Sequence, residues 1–292
     1  MSILNRQITQ PSNVRRVFEV SSNNVTEVSM GYKNILFDQE GGIAIITFNR
    51  PKALNALSTD LIAELSQAAD KIAEEEAIRV LILTGAGEKA FVAGADITEL
   101  ATYNSLQAKV FAKKGHEAFN KIQDLSIPVI AAVNGYALGG GCEIALASDF
   151  IYAAENAMFG LPEITLGLMP GFGGTQRLPR LIGMNMAKEM IFTGKMISAV
   201  EAHRIGLVNK VCPPGTLMEE AKKTAAEIAA KGRVSLRAAK QAVNRGMNVD
   251  LISGCAVEID AFALCLASED AREGTRAFLE KRKAEFKGSL TS

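Results

Sequence analysis

Glu143 and Glu163 each close a segment dense in glycine, and no other pattern in the chain points so directly to chemistry. The first segment is Asn134-Gly-Tyr-Ala-Leu-Gly-Gly-Gly-Cys-Glu143. The second is Phe159-Gly-Leu-Pro-Glu163, followed by Gly167-Leu-Met-Pro-Gly-Phe-Gly-Gly-Thr-Gln-Arg177. Three consecutive glycines weaken any regular element, so they belong where backbone takes unusual dihedrals or comes close to a ligand. A carboxylate directly after such a run reads as a general acid or base beside a bound molecule. An acid in the first turn of a helix is also favoured by the helix dipole alone. The second acid, in a matching segment, lifts Glu143 above that simpler reading.

Stepping outward, apolar runs bounded by turn residues alternate with helical stretches. Ile43 to Phe48, Val80 to Thr84, Val129 to Val133 and Phe150 to Ala153 read as strands, the middle two buried on both faces. Thr59 to Ala77 places Leu61, Ile62, Leu65, Ala68, Ala69 and Ile72 on one helical face, and a second helix is expected over Ser105 to Gln123, ending before Pro128. Strand, turn-rich segment and helix recur in that order, an α/β layout that sets both glycine motifs just past strand ends. After Arg177 helices alone are expected. Ser198-Ala-Val-Glu201 is a capping-box pattern opening a short helix stopped by Gly206. Met218 to Ala230, Ser235 to Arg245, Asp250 to Ala267 and Glu269 to Lys283 follow with helical period. The chain thus divides into an N-terminal extension (1–31), expected to be disordered, a core (32–199) and a helical C-terminal region (200–292).

Composition sets the class. At 292 residues and 48% hydrophobic content the chain can bury a large core. Lysine plus arginine equals aspartate plus glutamate at 32 each, so no global field recruits nucleic acid or an anionic membrane, and a basic spot is limited to Lys109, Lys113 and Lys114. No apolar run approaches the roughly 18 to 20 residues of a membrane span. Residues 1–30 are polar and lack the apolar core of a secretory signal. Cys142, Cys212, Cys255 and Cys265 are scattered without ligand spacing, which fits free thiols in a reducing compartment and, with only two histidines, no metal site. Gly85-Ala-Gly-Glu-Lys89 lacks the spacing and hydroxyl of a phosphate loop, no dinucleotide fingerprint follows a strand, and His116 and His203 stand far from any nucleophile elbow.

Asn49-Arg-Pro-Lys-Ala-Leu-Asn-Ala-Leu57, Phe91-Val-Ala-Gly-Ala-Asp-Ile97, the Asn134 to Glu143 run and Phe159 to Leu178 together resemble the crotonase superfamily, and within it the short-chain enoyl-CoA hydratases. The resemblance covers about residues 32 to 288. It implies a crotonase-like spiral of ββα units with a helical C-terminal trimerisation region, assembled as a trimer or a hexamer. It also implies the addition of water across the C2–C3 double bond of a trans-2-enoyl-CoA, with coenzyme A part of the substrate and no separate cofactor. A cytoplasmic setting is expected, or the mitochondrial matrix if the source is eukaryotic.

By this resemblance the backbone N–H groups of Ala95 and Gly140 form an oxyanion hole. Glu143 acts as base toward water, and Glu163, its direction helped by Pro162, donates the proton to C2. Lys52, Ala53, Leu54, Ala93, Asp96, Ile97 and Thr98 match the segments that line coenzyme A, with Thr98 standing where many relatives carry lysine. Phe262, Phe278 and Lys281 match positions that in some members reach the coenzyme A of a neighbouring subunit; an amphipathic helix packing on itself explains them equally well. Acyl chain length is expected to depend on the loop and helix around residues 99–120. The rival readings are a Δ3,Δ2-enoyl-CoA isomerase, which typically keeps one of the two acids, and a non-catalytic RNA-binding or scaffold relative. A multifunctional oxidation protein would need a dehydrogenase domain for which the matched chain leaves no residues.

Overall fold

The computed structural model describes residues 31–288, so the expected N-terminal extension lies outside it apart from Gly31. The chain lays down β1 (Ile35–Glu40), β2 (Ile43–Phe48), β3 (Val80–Gly85), β4 (Ala90–Val92), β5 (Val129–Val133), β6 (Tyr136–Leu138), β7 (Phe150–Ala154), β8 (Met158–Gly160), β9 (Ile197–Ser198) and β10 (Lys210–Cys212). Between and after them run α1 (Thr59–Glu74), α2 (Ile97–Leu100), α3 (Ser105–Asp124), α4 (Gly140–Leu146), α5 (Gly174–Ile182), α6 (Met184–Thr193), α7 (Ala199–Arg204), α8 (Leu217–Ala229), α9 (Arg233–Gly246), α10 (Leu251–Ala267) and α11 (Glu269–Leu279).

A six-stranded sheet is ordered β1-β2-β3-β5-β7-β10 and a four-stranded sheet β4-β6-β8-β9. Successive strands therefore alternate between the two sheets, β3 to β4, β5 to β6, β7 to β8, and helices carry the chain back. This is a spiral of ββα turns. Its inner pairings are parallel, while β1 on β2 and β9 on β8 are antiparallel. Parallel strands need cover on both faces, and the sequences of β3 and β5 are buried at every position. One face packs on α1 and α3 through Leu61, Leu65, Phe119 and Ile122; the other packs Ile45, Val80, Ile82 and Ile130 on Leu217, Ala221 and Ala225 of α8. Alanines at the α8 contact let the helix lie close to the sheet.

Where the chain steps from one sheet to the other, one half-buried and one buried side-chain amide carry the backbone that the strands leave unpaired. Asn134 accepts from Gly85 N at 3.1 Å and donates to the Gly85 and Gly87 carbonyls at 2.9 and 2.7 Å. Asn55, fully buried, accepts from Arg50 N at 2.9 Å and donates to the Ala86 and Ala90 carbonyls at 3.0 and 2.8 Å.

Several expectations change. Helices do not stand alone after Arg177: β10 extends the main sheet along β7, and β9 closes the small one. These are strands of two or three residues, too short to show a period. The strand β1 and the helices α5 and α6 also went unread. Ser198 caps α7 by accepting from Glu201 N at 3.3 Å, but the Glu201 carboxylate turns to Arg204, so that box is half closed. The full capping box is at Asn104 and Gln107, opening α3. Helix α11 stops at Leu279 rather than Lys283.

Helices α9 and α10 pair with each other beyond the sheet, and α11 packs on both. Lys240 of α9 ties this group to the main sheet, reaching Asp149 Oδ2 at 2.8 Å and the Ile127 carbonyl at 2.9 Å with its side chain 8% exposed. Val129 N donates to the same Asp149 oxygen at 2.7 Å. Removing one partner of a buried pair leaves the other charge stranded. Lys240→Met is therefore expected to destabilise the fold by about 3 kcal/mol, the low end of the roughly 3 to 5 kcal/mol for breaking a buried pair, because Asp149 keeps one donor. Urea midpoints compared at fixed protein concentration check this.

Candidate active site

Glu143 sits one turn into α4, and the glycines before it decide where that turn lies. Gly139 has φ +50°, which turns the chain out of β6, and a Cβ on Gly141 would fall 1.9 Å from the Val92 carbonyl oxygen. The start of α4 thus rests directly on the β4 backbone. The Glu143 side chain points into the interior at 1% exposure, where Oε1 accepts from Phe172 N at 2.8 Å and Gly174 N at 2.7 Å. Those donors come from the glycine loop that opens α5. Burial raises the Glu143 pKa, and the two N–H groups with the Arg177 charge oppose the rise.

Glu163 lies in a 3-10 helix, Pro162–Leu166, directly after β8. Its Oε1 faces Gly139 so closely that a Cβ there would stand 2.9 Å away. Its Oε2 is buried without a hydrogen-bond partner, a demand that a bound water or substrate proton would meet. Burial, seconded by the Glu143 charge, pushes its pKa up to about 7. Both carboxylates also act on Cys142, whose thiol burial already pushes well up, so that cysteine stays protonated and is no nucleophile. The Glu143 charge reaches Glu163, and two acids that interact in this way titrate as a pair.

The first two motifs are stitched side by side. Ala93 N donates to the Leu54 carbonyl at 3.0 Å, Leu57 N to Gly94 at 2.8 Å, and Asp96 N to Leu57 at 2.9 Å, forming a parallel bridge between Leu57 and Ala95. Backbone N–H groups alternate in such pairing, so the Ala95 N–H turns away from Leu57. Gly139 approaches the Gly94 Cα, a built Cβ lying 3.6 Å from it, which sets the Ala95 and Gly140 peptides on neighbouring segments. Leu57 Cδ1 and the Phe172 ring flank Gly140, at 2.7 and 3.2 Å from where its Cβ would be. As a helix N1 residue Gly140 has no intrahelical acceptor for its N–H.

Of the remaining candidates, Lys52 and Ala53 lie in the 3-10 helix Pro51–Ala53, and Leu54 follows at φ +50°, all exposed beside the Ala93 backbone. Asp96 is spent within the chain. Its carboxylate accepts from Thr98 Oγ1 at 2.6 Å, Thr98 N at 3.1 Å and Arg50 Nη2 at 2.8 Å, bonds that hold its pKa below the usual range. It thereby caps α2, whose first residue Ile97 is exposed. The C-terminal trio is not drawn into this group: Phe262 lines a groove between α9 and α10, Phe278 is exposed, and Lys281 donates its N–H to the Phe278 carbonyl. Sequence reasoning missed Phe172 and Gly174 as donors, and Arg50 and Asn55 as stitches; the Gly171 to Gly174 run was the available signal.

A ββα spiral that sets one buried and one half-buried acid beside glycine backbone fits an acid–base enzyme. The enoyl-CoA hydratase/isomerase family model matches residues 38–289. A crotonyl-CoA hydratase of Syntrophomonas wolfei is 50% identical over 257 residues, 88% of this chain and 99% of that protein. A short-chain-enoyl-CoA hydratase of Clostridium acetobutylicum is 50% identical over 256 residues, 88% and 98% of the two. The crystal structure of an enoyl-CoA hydratase from Bacillus anthracis superposes with TM-score 0.85 at 46% identity, covering 87% of this chain and 99% of that one. The chain belongs to the enoyl-CoA hydratase/isomerase family.

A carboxyl whose pKa is raised in the folded state costs stability once it ionises. For Glu163 that cost is absent below the ordinary carboxyl range and complete above about pH 7. Glu163→Gln is therefore expected to melt with the parent at pH 4 and above it at pH 8, by about 2 kcal/mol after allowing for partial solvent access. Thermal melts across that range test the sign.

Proposed function

We propose that this enzyme adds water to trans-2-enoyl-CoA thioesters of short chain, giving 3-hydroxyacyl-CoA. The observation that carries the reading is a pair of electrostatically coupled acids, with Glu143 Oε1 held by two N–H groups and Glu163 Oε2 left unpartnered. A single carboxylate suffices to move a proton between carbons of an enolate. Holding a water over C3 while a proton reaches C2 requires a second polar group on the same face. This favours hydration over isomerisation, and the hydratase relatives at 50% identity support it.

In the mechanism we infer, one water lies between the two carboxyls. Glu143, ionised, takes a proton from that water as its oxygen attacks C3. The C2–C3 π electrons pass toward the thioester oxygen, where the N–H groups of Ala95 and Gly140 meet the developing charge. Glu163, protonated, then delivers a proton to C2. The α4 N-terminus adds its dipole to the oxyanion. The thioester itself is the electron sink, so the reaction needs no further cofactor. Lys52, Ala53, Leu54 and Ala93 form the lip along which coenzyme A would lie, with Ile97 and Thr98 at its edge.

We infer further that the chain assembles as a trimer or pair of trimers through its C-terminal helices. The large apolar side chains left exposed on α10, including Ile259, Phe262 and Leu266, support this, since solvent-facing apolar patches of that extent mark contact surfaces. A cytoplasmic setting is consistent with four cysteines free of disulfides.

The direct assay follows loss of the conjugated thioester's absorbance with crotonyl-CoA. Glu143→Gln and Glu163→Gln are each expected to lower kcat by about 10² to 10⁴ with the fold intact by circular dichroism. Near-parental turnover in either variant would remove that residue from its role. Rapid conversion of 3-enoyl-CoA by an enzyme that hydrates no 2-enoyl-CoA would overturn the hydratase reading.

A further inference from the structure

We propose that Arg177 is a positioning residue for Glu143: its guanidinium clamps the loop that supplies both N–H donors and holds a positive charge behind the carboxylate. The inference rests on the reading of Glu143 as the base. Arg177 lies in the first turns of α5, and its three hydrogen bonds run in two directions. Nε donates to Gln123 Oε1 at 2.7 Å and Nη2 to Asn120 Oδ1 at 2.8 Å, both on α3; Nη1 donates to the Phe172 carbonyl at 2.9 Å. Phe172 is the residue whose N–H reaches Glu143, and Gly174, two residues on, supplies the second donor. The clamp therefore pins this loop to the last turns of α3.

Two glycines make the clamp fit. Gly173 has φ +110°, and a Cβ there would stand 2.1 Å from Arg177 Nη1. Gly115 of α3 has no side chain where the Phe172 ring lies, a built Cβ falling 2.2 Å from ring atom Cε1. The ring then packs between Phe111 and Phe119, with centroids 5.2 and 5.4 Å away. Ring and carbonyl of Phe172 are thus both fastened, which fixes the direction of its N–H. A planar fork with three acceptors is a task for arginine, since lysine offers a point charge without the fixed geometry.

The charge acts in the same sense as the geometry. Glu143 feels Arg177 as a stabilising neighbour, and Arg177 feels Glu143 likewise, whereas Glu163 is pushed up by burial first and by the Glu143 charge second, with no arginine to offset them. The clamp thus gives Glu143 fixed donors and a neighbouring positive charge that Glu163 does not share. The other titratable groups around Glu143 and Arg177 are Cys142 on α4, Glu163 on its 3-10 turn, Asp124 on α3, which acts on Arg177, and His116 on α3, on which Arg177 acts. His116 is held below the usual histidine range by burial and by Arg177.

The test uses Arg177→Met, with Arg177→Gln should the first fail to fold, and Arg177→Lys to restore charge without the fork. In the neutral variants kcat for crotonyl-CoA should fall about 10²-fold with KM within about threefold, as expected for a misaligned catalytic group. Removing the charge raises the Glu143 pKa, so the acidic limb of the kcat profile should move to higher pH by about half a unit or more. Arg177→Lys should return the limb to the parental position while kcat stays about tenfold low. His116→Gln should leave the limb in place. Carbon-13 titration of the glutamate carboxyls, with the Glu143 signal identified by its loss in Glu143→Gln, should show the same upward move whether or not crotonyl-CoA is hydrated. A parent that hydrates nothing would thus sink the functional reading and leave this inference to the titration. A folded neutral variant with parental kcat, or with an unmoved limb and an unmoved Glu143 titration, would overturn it.

Discussion

A carboxylate buried almost completely from solvent is the constraint around which this protein is arranged. In the role proposed for it Glu143 is a buried, oriented base, yet burying a charge is costly unless hydrogen bonds replace the lost water. The structure answers with two backbone donors on one oxygen, Phe172 N and Gly174 N, leaving the rest of the group for the substrate side. Each donor requires a loop at a particular height above α4. A built Cβ on Gly174 would stand 3.1 Å from the Glu143 oxygen, so the loop comes this close only as bare backbone. The glycine density of the two motifs is the consequence.

The spiral brings these loops together without long connections. Each turn steps from the main sheet to the small sheet, and the small-sheet strands β4, β6 and β8 end beside one another. The segments that follow them begin with Ala93, Gly139 and Leu161, and so the oxyanion candidates and both acids share one edge. Polar stitches keep those edges in register. Asn55 and Asn134 occupy the crossovers, and the Arg50–Asp96 pair joins the first motif to the second at 2.8 Å. The energetic direction is clear at Glu163. Its oxygen lacks a partner and its pKa rises to about 7, so the site holds local instability that the packed sheets on either side must offset.

Much of this was legible in the sequence, and the exceptions share a physical cause. The strands β3 and β5 are continuous apolar runs, and α1 and α3 have clear periods, so their presence and approximate bounds follow from pattern alone. The acids stood out because glycine runs have few other uses. Short strands such as β9 and β10 carry no period, and their pairing is decided by tertiary neighbours. The Glu143 donors are backbone groups, which no side-chain pattern can announce, and nothing in the pattern marks Arg177 as the residue that holds them. Asp96 matched a ligand-lining segment, yet its carboxylate is occupied by Arg50 and Thr98, a pairing visible only once the two loops meet.

The central claim is that both carboxyls handle one water on one face of the double bond. Hydration of crotonyl-CoA in deuterated water, with the product analysed by proton NMR, tests it most directly. A single diastereomer carrying deuterium at C2 on the same face as the new oxygen at C3 is the predicted result. Addition to opposite faces, a mixture of diastereomers, or exchange at C2 without oxygen at C3 would contradict the shared-water account.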